Sequence, residues 1–283
     1  MKSSWMLVAG LLFAIMGGFV KLAASQFSSA ELVFYRSLFG LLAIYWVIRT
    51  RNRTPHPFAT VHWRAHLTRS VAGFIALLLF FHAIAELPLA TAVTLNYTSP
   101  LFLALLLTFW QREKPHWPLL SALLLGFAGL ILLLRPTLHA DQLLTGLMGL
   151  GSGFLAGVAY FNLRQLGRLG EPDWRTVFYF TLVSSLGAGI VASVTGWHRV
   201  DLQAAGVLLG LGITATLAQL ALTRAYRLGN ALTVGGLAYS TVVFASLLGV
   251  LWWREVLPAG AWLGMGLIVA SGVMSLRAIR PGG

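Results

Sequence analysis

Apolar and polar positions in this chain segregate on the scale of whole helices. Runs of about twenty apolar residues, the length that crosses a bilayer, are separated by short polar links. They fall at 5–24, 29–48, 67–86, 90–110, 117–134, 143–163, 176–195, 204–223, 231–252 and 258–277. Ten transmembrane helices are predicted. The links are short except for the basic segment between the second and third runs, and none has room for a soluble domain. The first run follows Lys2 and ends near Ala23-Ala24, as a signal peptide would. Nine further spans favour an uncleaved first helix.

The pattern repeats. Ala83 to Glu113 reads AIAELPLATAVTLNYTSPLFLALLLTFWQRE, and 142 residues later Ala225 to Glu255 reads AYRLGNALTVGGLAYSTVVFASLLGVLWWRE. Ten of the 31 positions are identical without a gap. The informative matches are Thr91 with Thr233, Tyr97 with Tyr239, Trp110 with Trp252 and Arg112-Glu113 with Arg254-Glu255. The offset is half the chain, so the division expected is 1–138 and 139–283, five spans each. An odd number of spans makes the two halves enter the membrane in opposite senses. Inverted repeats of this kind are a transporter architecture, with the site at the repeat interface near the midplane.

Composition agrees with the pattern. The chain is 58% hydrophobic and 10% charged, with mean hydropathy +0.80, against about 25% charged in soluble domains. The net charge of +12 lies in links between apolar runs, which points to anionic lipid and not to nucleic acid. With the N-terminus in the cytoplasm, Lys2, Arg49, Arg51, Arg53, Arg64, Arg69, Arg112, Lys114, Arg164, Arg168, Arg175, Arg224, Arg227, Arg277 and Arg280 face inward. Only Lys21, Arg135, Arg199 and Arg254 face outward. Fifteen against four places both termini in the cytoplasm. There is no Cys, hence no disulfide or thiolate chemistry.

Ten short spans, two five-span halves, ELPLATAV followed by NYTSP, the closing REKP, and their echo as RLGNALTVGGLAYS and WRE resemble the drug/metabolite transporter superfamily, EamA branch. Glu31 and Arg36 in ELVFYRSLFG belong to the same likeness, which covers essentially the whole chain. The resemblance implies an all-α bundle of ten helices around a central cavity, in the inner (plasma) membrane. It also implies export or exchange of small organic metabolites. Phe178 stands where the second half would repeat Arg36, so any role of Arg36 is not duplicated.

Six residues are candidates for contact with a substrate. Arg36 lies about two turns inside span 2, where charge costs ~2.5–3.5 kcal/mol on insertion scales. It is either an anchor for a substrate carboxylate or phosphate, or a structural residue, in a salt bridge with Glu31 or snorkelling outward. His82 lies about one turn from the outer end of span 3, ahead of Glu86, and is the candidate for coupling transport to protons, a role that suits histidine as a residue type. Asn96 sits four residues before Pro100, which frees its carbonyl. Val242 at the equivalent place predicts a kink in the first half only. Tyr97 and Tyr239 are expected on opposite sides of the midplane, facing the axis. Gln219 continues a polar stripe with Gly212, Thr216 and Thr223 on span 8. Tyr160 and Asn162 on span 6 are weaker candidates. The cavity is expected to be lined by spans 1, 3, 4, 6, 8 and 9.

Small residues at helical spacing predict close helix packing: Gly149, Gly153 and Gly157; Gly10, Ala14, Gly17 and Lys21; Gly206 and Gly210; Gly260 and Gly264. No GxxxxGK[ST] loop and no zinc-spaced histidines occur, so no cofactor and no metal are expected. The reading is a secondary transporter, with a small-molecule substrate and the bilayer as its partners. A monomer suffices, and a dimer is compatible with it. Two alternatives remain at this point: a membrane enzyme or lipid-handling protein built on His82 and Glu86, and a passive channel.

Overall fold

The computed structural model describes residues 2–51, 56–87, 89–112, 116–135, 142–254 and 256–278. Arg53, Lys114, Arg280 and the motif glutamates Glu113 and Glu255 lie outside the described residues. The helices are α1 (Trp5–Ala23), α2 (Ser29–Arg51), α3 (Trp63–Glu86), α4 (Leu89–Asn96), α5 (Ser99–Phe109), α6 (Trp117–Leu134), α7 (Leu143–Arg168), α8 (Asp173–Thr195), α9 (Leu202–Leu228), α10 (Ala231–Ala238), α11 (Ser240–Trp253) and α12 (Ala259–Ala278). No strand occurs among the described residues. Among the described residues nine segments are long and apolar enough to cross a membrane, with α4–α5 and α10–α11 each counting as one. The tenth span, α3, carries Arg64, His66 and Arg69 in its first two turns.

Local signals set the helix ends. Ser28 and Glu31 form a reciprocal capping box at the start of α2: the Ser28 N–H donates to Glu31 Oε2 at 2.8 Å, and the Glu31 N–H donates to Ser28 Oγ at 3.3 Å. Asp201 caps α9 by accepting from the Ala204 N–H at 2.7 Å. Asn230 caps α10 by accepting from the N–H groups of Leu232 and Thr233. Arg112 and Arg254, the paired arginines of the repeat, both turn the chain with a left-handed φ of 53°. A non-glycine residue seldom adopts that conformation, so the duplicated arginine marks a duplicated turn.

The fourth span of each half is broken. The gap between α4 and α5 holds Tyr97 and Thr98, and the gap between α10 and α11 holds Tyr239. The expected one-sided kink is therefore two-sided. Pro100 accounts for the first break. At the second, Ser240 Oγ donates to the Leu237 carbonyl at 2.6 Å. Thr98, its counterpart, makes the same bond to the Leu95 carbonyl. Hydroxyls that bond back to their own helix bend it, and this device needs no proline.

Packing follows the repeat. α3 lies along α7 as α1 lies along α9, and α2 touches α9 as α3 touches α8. α2 pairs with α8, and α6 with α12. Exchanging the halves maps this set of neighbours onto itself. Glycines carry the tightest approaches. A Cβ on Gly264 would lie 2.6 Å from the Gly129 carbonyl oxygen across the α6–α12 seam. Ser271 Oγ also donates to the Ala122 carbonyl there, at 2.7 Å. Outward faces stay apolar, with Leu186, Ile190, Val194, Leu251 and Leu263 all exposed. Exposed apolar faces on buried-core helices fit lipid as solvent.

Candidate functional site

Three helices, α2, α8 and α9, converge on Arg36. It stands on α2 and is 9% exposed, beside Ser37, Thr181 of α8, and Thr216 and Gln219 of α9. These residues line a cavity of about 10 Å³, space for about one water. Among the described residues Arg36 makes no hydrogen bond and no ion pair. Glu31 is directed elsewhere: it accepts from the His198 N–H at 2.6 Å and lies 2.8 Å from His198 Nδ1. The Glu31–Arg36 salt bridge weighed from sequence does not form.

The surrounding hydroxyls are arranged as acceptors. Thr181 Oγ1 donates to the Val177 carbonyl at 2.9 Å, and Thr216 Oγ1 to the Gly212 carbonyl at 2.7 Å. Each spends its proton on its own helix and keeps its lone pairs. Gln219 Nε2 is buried and has no hydrogen-bond partner.

Arg69 of α3 stands behind this wall, on Phe180, and was not among the candidates read from the sequence. Counted among the cytoplasmic arginines, it is 3% exposed inside the bundle. Its guanidinium lies 3.9 Å from the centre of the Phe180 ring, next to Thr181. Nε and Nη1 have no hydrogen-bond partner. Gly73, one turn on, leaves the room it occupies: a Cβ there would lie 2.8 Å from Arg69 Nη1. Trp63 starts α3 four residues before the apolar run, which carries Arg69 about two turns into the helix.

The other candidates separate. Tyr97 and Tyr239 do not sit apart across the midplane; their ring centres are 6.2 Å apart at the two helix breaks. Tyr239 is wholly buried, with Phe127 beside it. Asn96 Nδ2 donates to Ser152 Oγ on α7 at 3.1 Å. His82 and Glu86 are exposed near the end of α3 and do not reach the cavity. Tyr160 stacks on Tyr226 with centres 5.0 Å apart. The lining comes from α2, α8 and α9, the second, seventh and eighth spans, so α2 and α8 were not foreseen.

Polar and aromatic contacts tie the chain at the two ends of the bundle. At one end Glu171 accepts from Arg175 Nη1 at 2.9 Å and from Thr60 Oγ1. Arg175 also donates to the Pro57 carbonyl, and Tyr179 to the Phe58 carbonyl. At the other end Glu31 and His198 meet beside Phe34, Tyr35 and Trp197, whose rings pack edge to face.

The EamA-like transporter family matches this chain twice, over residues 2–135 and 143–277. The pseudopaline exporter CntI of Pseudomonas aeruginosa is 30% identical over 283 residues, covering 97% of this chain and 95% of that one. A riboflavin transporter of Vibrio cholerae is 28% identical, covering 94% and 90%. An S-adenosylmethionine uptake transporter of Rickettsia bellii is 22% identical, covering 80% and 76%. A solved crystal structure shares the fold at TM-score 0.86 and 19% identity, over 99% of this chain and 100% of that one. Matched in both halves, the chain belongs to the EamA-like transporter family, as a multi-pass inner-membrane transporter of small molecules with an all-α, inverted-repeat fold.

Proposed function

We propose that the protein exports small organic metabolites, amino acids or related compounds, by alternating access between units 1–138 and 139–283. The observation that carries this is Arg36. A guanidinium buried among hydroxyls and an amide, with no carboxylate on it, is a ready anchor for a substrate carboxylate or phosphate. Gln219 stands beside it as a second polar contact. The Tyr97–Tyr239 pair lies at the two helix breaks and supplies aromatic surface to the path. Asn96 positions the first break through Ser152, and His82 lies off the path. The exporter among the relatives supports the outward direction. The face that holds the N-terminus and most of the basic links is cytoplasmic in this reading, and one chain suffices.

The test is release of metabolites from cells making wild type or Arg36→Gln at equal level in the membrane. A hydrogen bond to a charged group contributes ~1.5–3 kcal/mol, so export should fall about ten- to hundredfold. Unchanged release by the variant would remove Arg36 from the substrate path.

A further inference from the structure

Arg36 and Arg69 present a physical problem that the family assignment leaves open. Two guanidinium groups lie within one apolar bundle, 9% and 3% exposed. Charge at this depth is retained where it is paired or where it serves a passage. No carboxylate among the described residues reaches either group. The buried acids are occupied at the ends of the bundle: Glu31 with His198 and Ser28, Glu171 with Arg175 and Thr60.

Both arginines border the same wall. Phe180 carries the Arg69 guanidinium on its face, and it lines the cavity together with Arg36. Stacking on a ring leaves the edge of a guanidinium free to donate, and Arg69 Nε and Nη1 are unpaired. The remaining groups offer acceptors and one amide, and they contribute no negative charge.

We propose that Arg36 and Arg69 together form a dianion site, so that the transported solutes carry at least two anionic groups, carboxylates or phosphates. This rests on the reading of the cavity as the substrate site. One anionic group pairs with Arg36 near Thr216 and Gln219, and the second pairs with Arg69 at Phe180. A zwitterion with a single carboxylate leaves one guanidinium uncompensated and is discriminated against. The cavity, about 10 Å³, has room for about one water, so binding a dianion requires the α2–α8–α9 wall to part. Charge neutralisation is then coupled to opening.

The experiment uses everted membrane vesicles given a defined mixture: alanine, glutamine, glutamate, succinate, citrate and glycerol phosphate. Uptake is read by mass spectrometry. Uptake confined to the solutes with two or more anionic groups, and lowered at least tenfold by Arg69→Gln, supports the proposal. Arg69→Lys, which keeps the charge without the fork, should fall between. Uptake of alanine or glutamine that Arg69→Gln leaves unchanged overturns it, while the transporter reading stands.

Melting temperature of the purified protein reads the site without turnover. Citrate should raise it above chloride at matched ionic strength, and the rise should vanish in both Arg36→Gln and Arg69→Gln. Ligand-free Arg69→Gln should melt no lower than wild type, because it removes an uncompensated buried charge. If no solute moves, the transporter reading falls, and the melting shift alone decides the anion site. The proposal is overturned if citrate has no effect beyond chloride, or if Arg69→Gln melts lower without ligand and loses all solutes equally.

Discussion

Glu171, in the turn between α7 and α8, shows how one side chain ties an end of the bundle. Burial alone would raise its carboxyl, but donation from Thr60 and Arg175 outweighs this and holds it below the usual carboxylate range. His66 Nε2 lies 3.4 Å away. A group lowered on folding contributes stability that is complete above the unfolded value, about 4.5. That contribution is lost as pH falls through the folded value. The melting temperature of purified protein should therefore drop on acidification below that point, and Glu171→Gln should flatten the drop while costing ~1–3 kcal/mol at neutral pH. Tyr239 makes a different prediction. Its hydroxyl is buried without a partner, so Tyr239→Phe should leave thermal stability unchanged. Tyr239→Ala should cost ~3–5 kcal/mol, as other large buried rings do, and Tyr97→Ala, half-buried, should cost less. Loss of transport in Tyr239→Phe at normal stability would put the hydroxyl on the substrate. At this scale the sequence was only partly legible. Arg36 stood out because a charge interrupts an apolar run. Arg69 did not, because it sits near the end of its run among link arginines, and only the fold shows it turned inward.

At the scale of elements, α7 is the clearest case of sequence pattern becoming contact. Gly149, Gly153 and Gly157 form one ridge, and that ridge docks on the broken fourth span. A Cβ on Gly153 would stand 2.3 Å from Thr98 Oγ1 and 2.6 Å from the Leu95 carbonyl oxygen. Gly153→Ala should then lower stability by ~1–3 kcal/mol, the usual cost of overpacking, and impair transport by shifting the α4–α5 break. Gly17 and Gly206 belonged to similar ridges on paper but have nothing within 4 Å. Alanine at either should be neutral or slightly stabilising, since glycine is the poorer helix former. Unfolding midpoints of the three variants in one detergent would check the contrast. Helix existence was readable from apolar run length. The second break was not, because residues 231–252 contain no proline. It depends on Ser240 choosing its own helix as partner, a choice that packing decides.

For the whole molecule, orientation is the open quantity that a direct measurement can reach. The native chain has no Cys, so single cysteines report cleanly. Arg64→Cys should be labelled from the cytoplasmic face and Arg199→Cys from the opposite face of intact cells. Both labelling from one face would defeat the assigned topology. The repeat was legible because Tyr97, Trp110 and Arg112 recur at a fixed spacing. The neighbours of each helix were not legible, since nothing in a uniformly apolar run names its contact. Those neighbours have a thermodynamic consequence. Because exchanging the halves reproduces the same set of helix pairs, the reverse-facing arrangement is built from contacts of the same kinds. Under the proposed alternating access the two end states should therefore lie close in free energy, set apart by local differences such as the proline in one break and not the other. Moving a two-state equilibrium from 1:99 to 99:1 takes about 5.5 kcal/mol of differential binding. Between nearly degenerate states far less is needed, so occupancy of the cavity by a small solute can decide which way the protein faces.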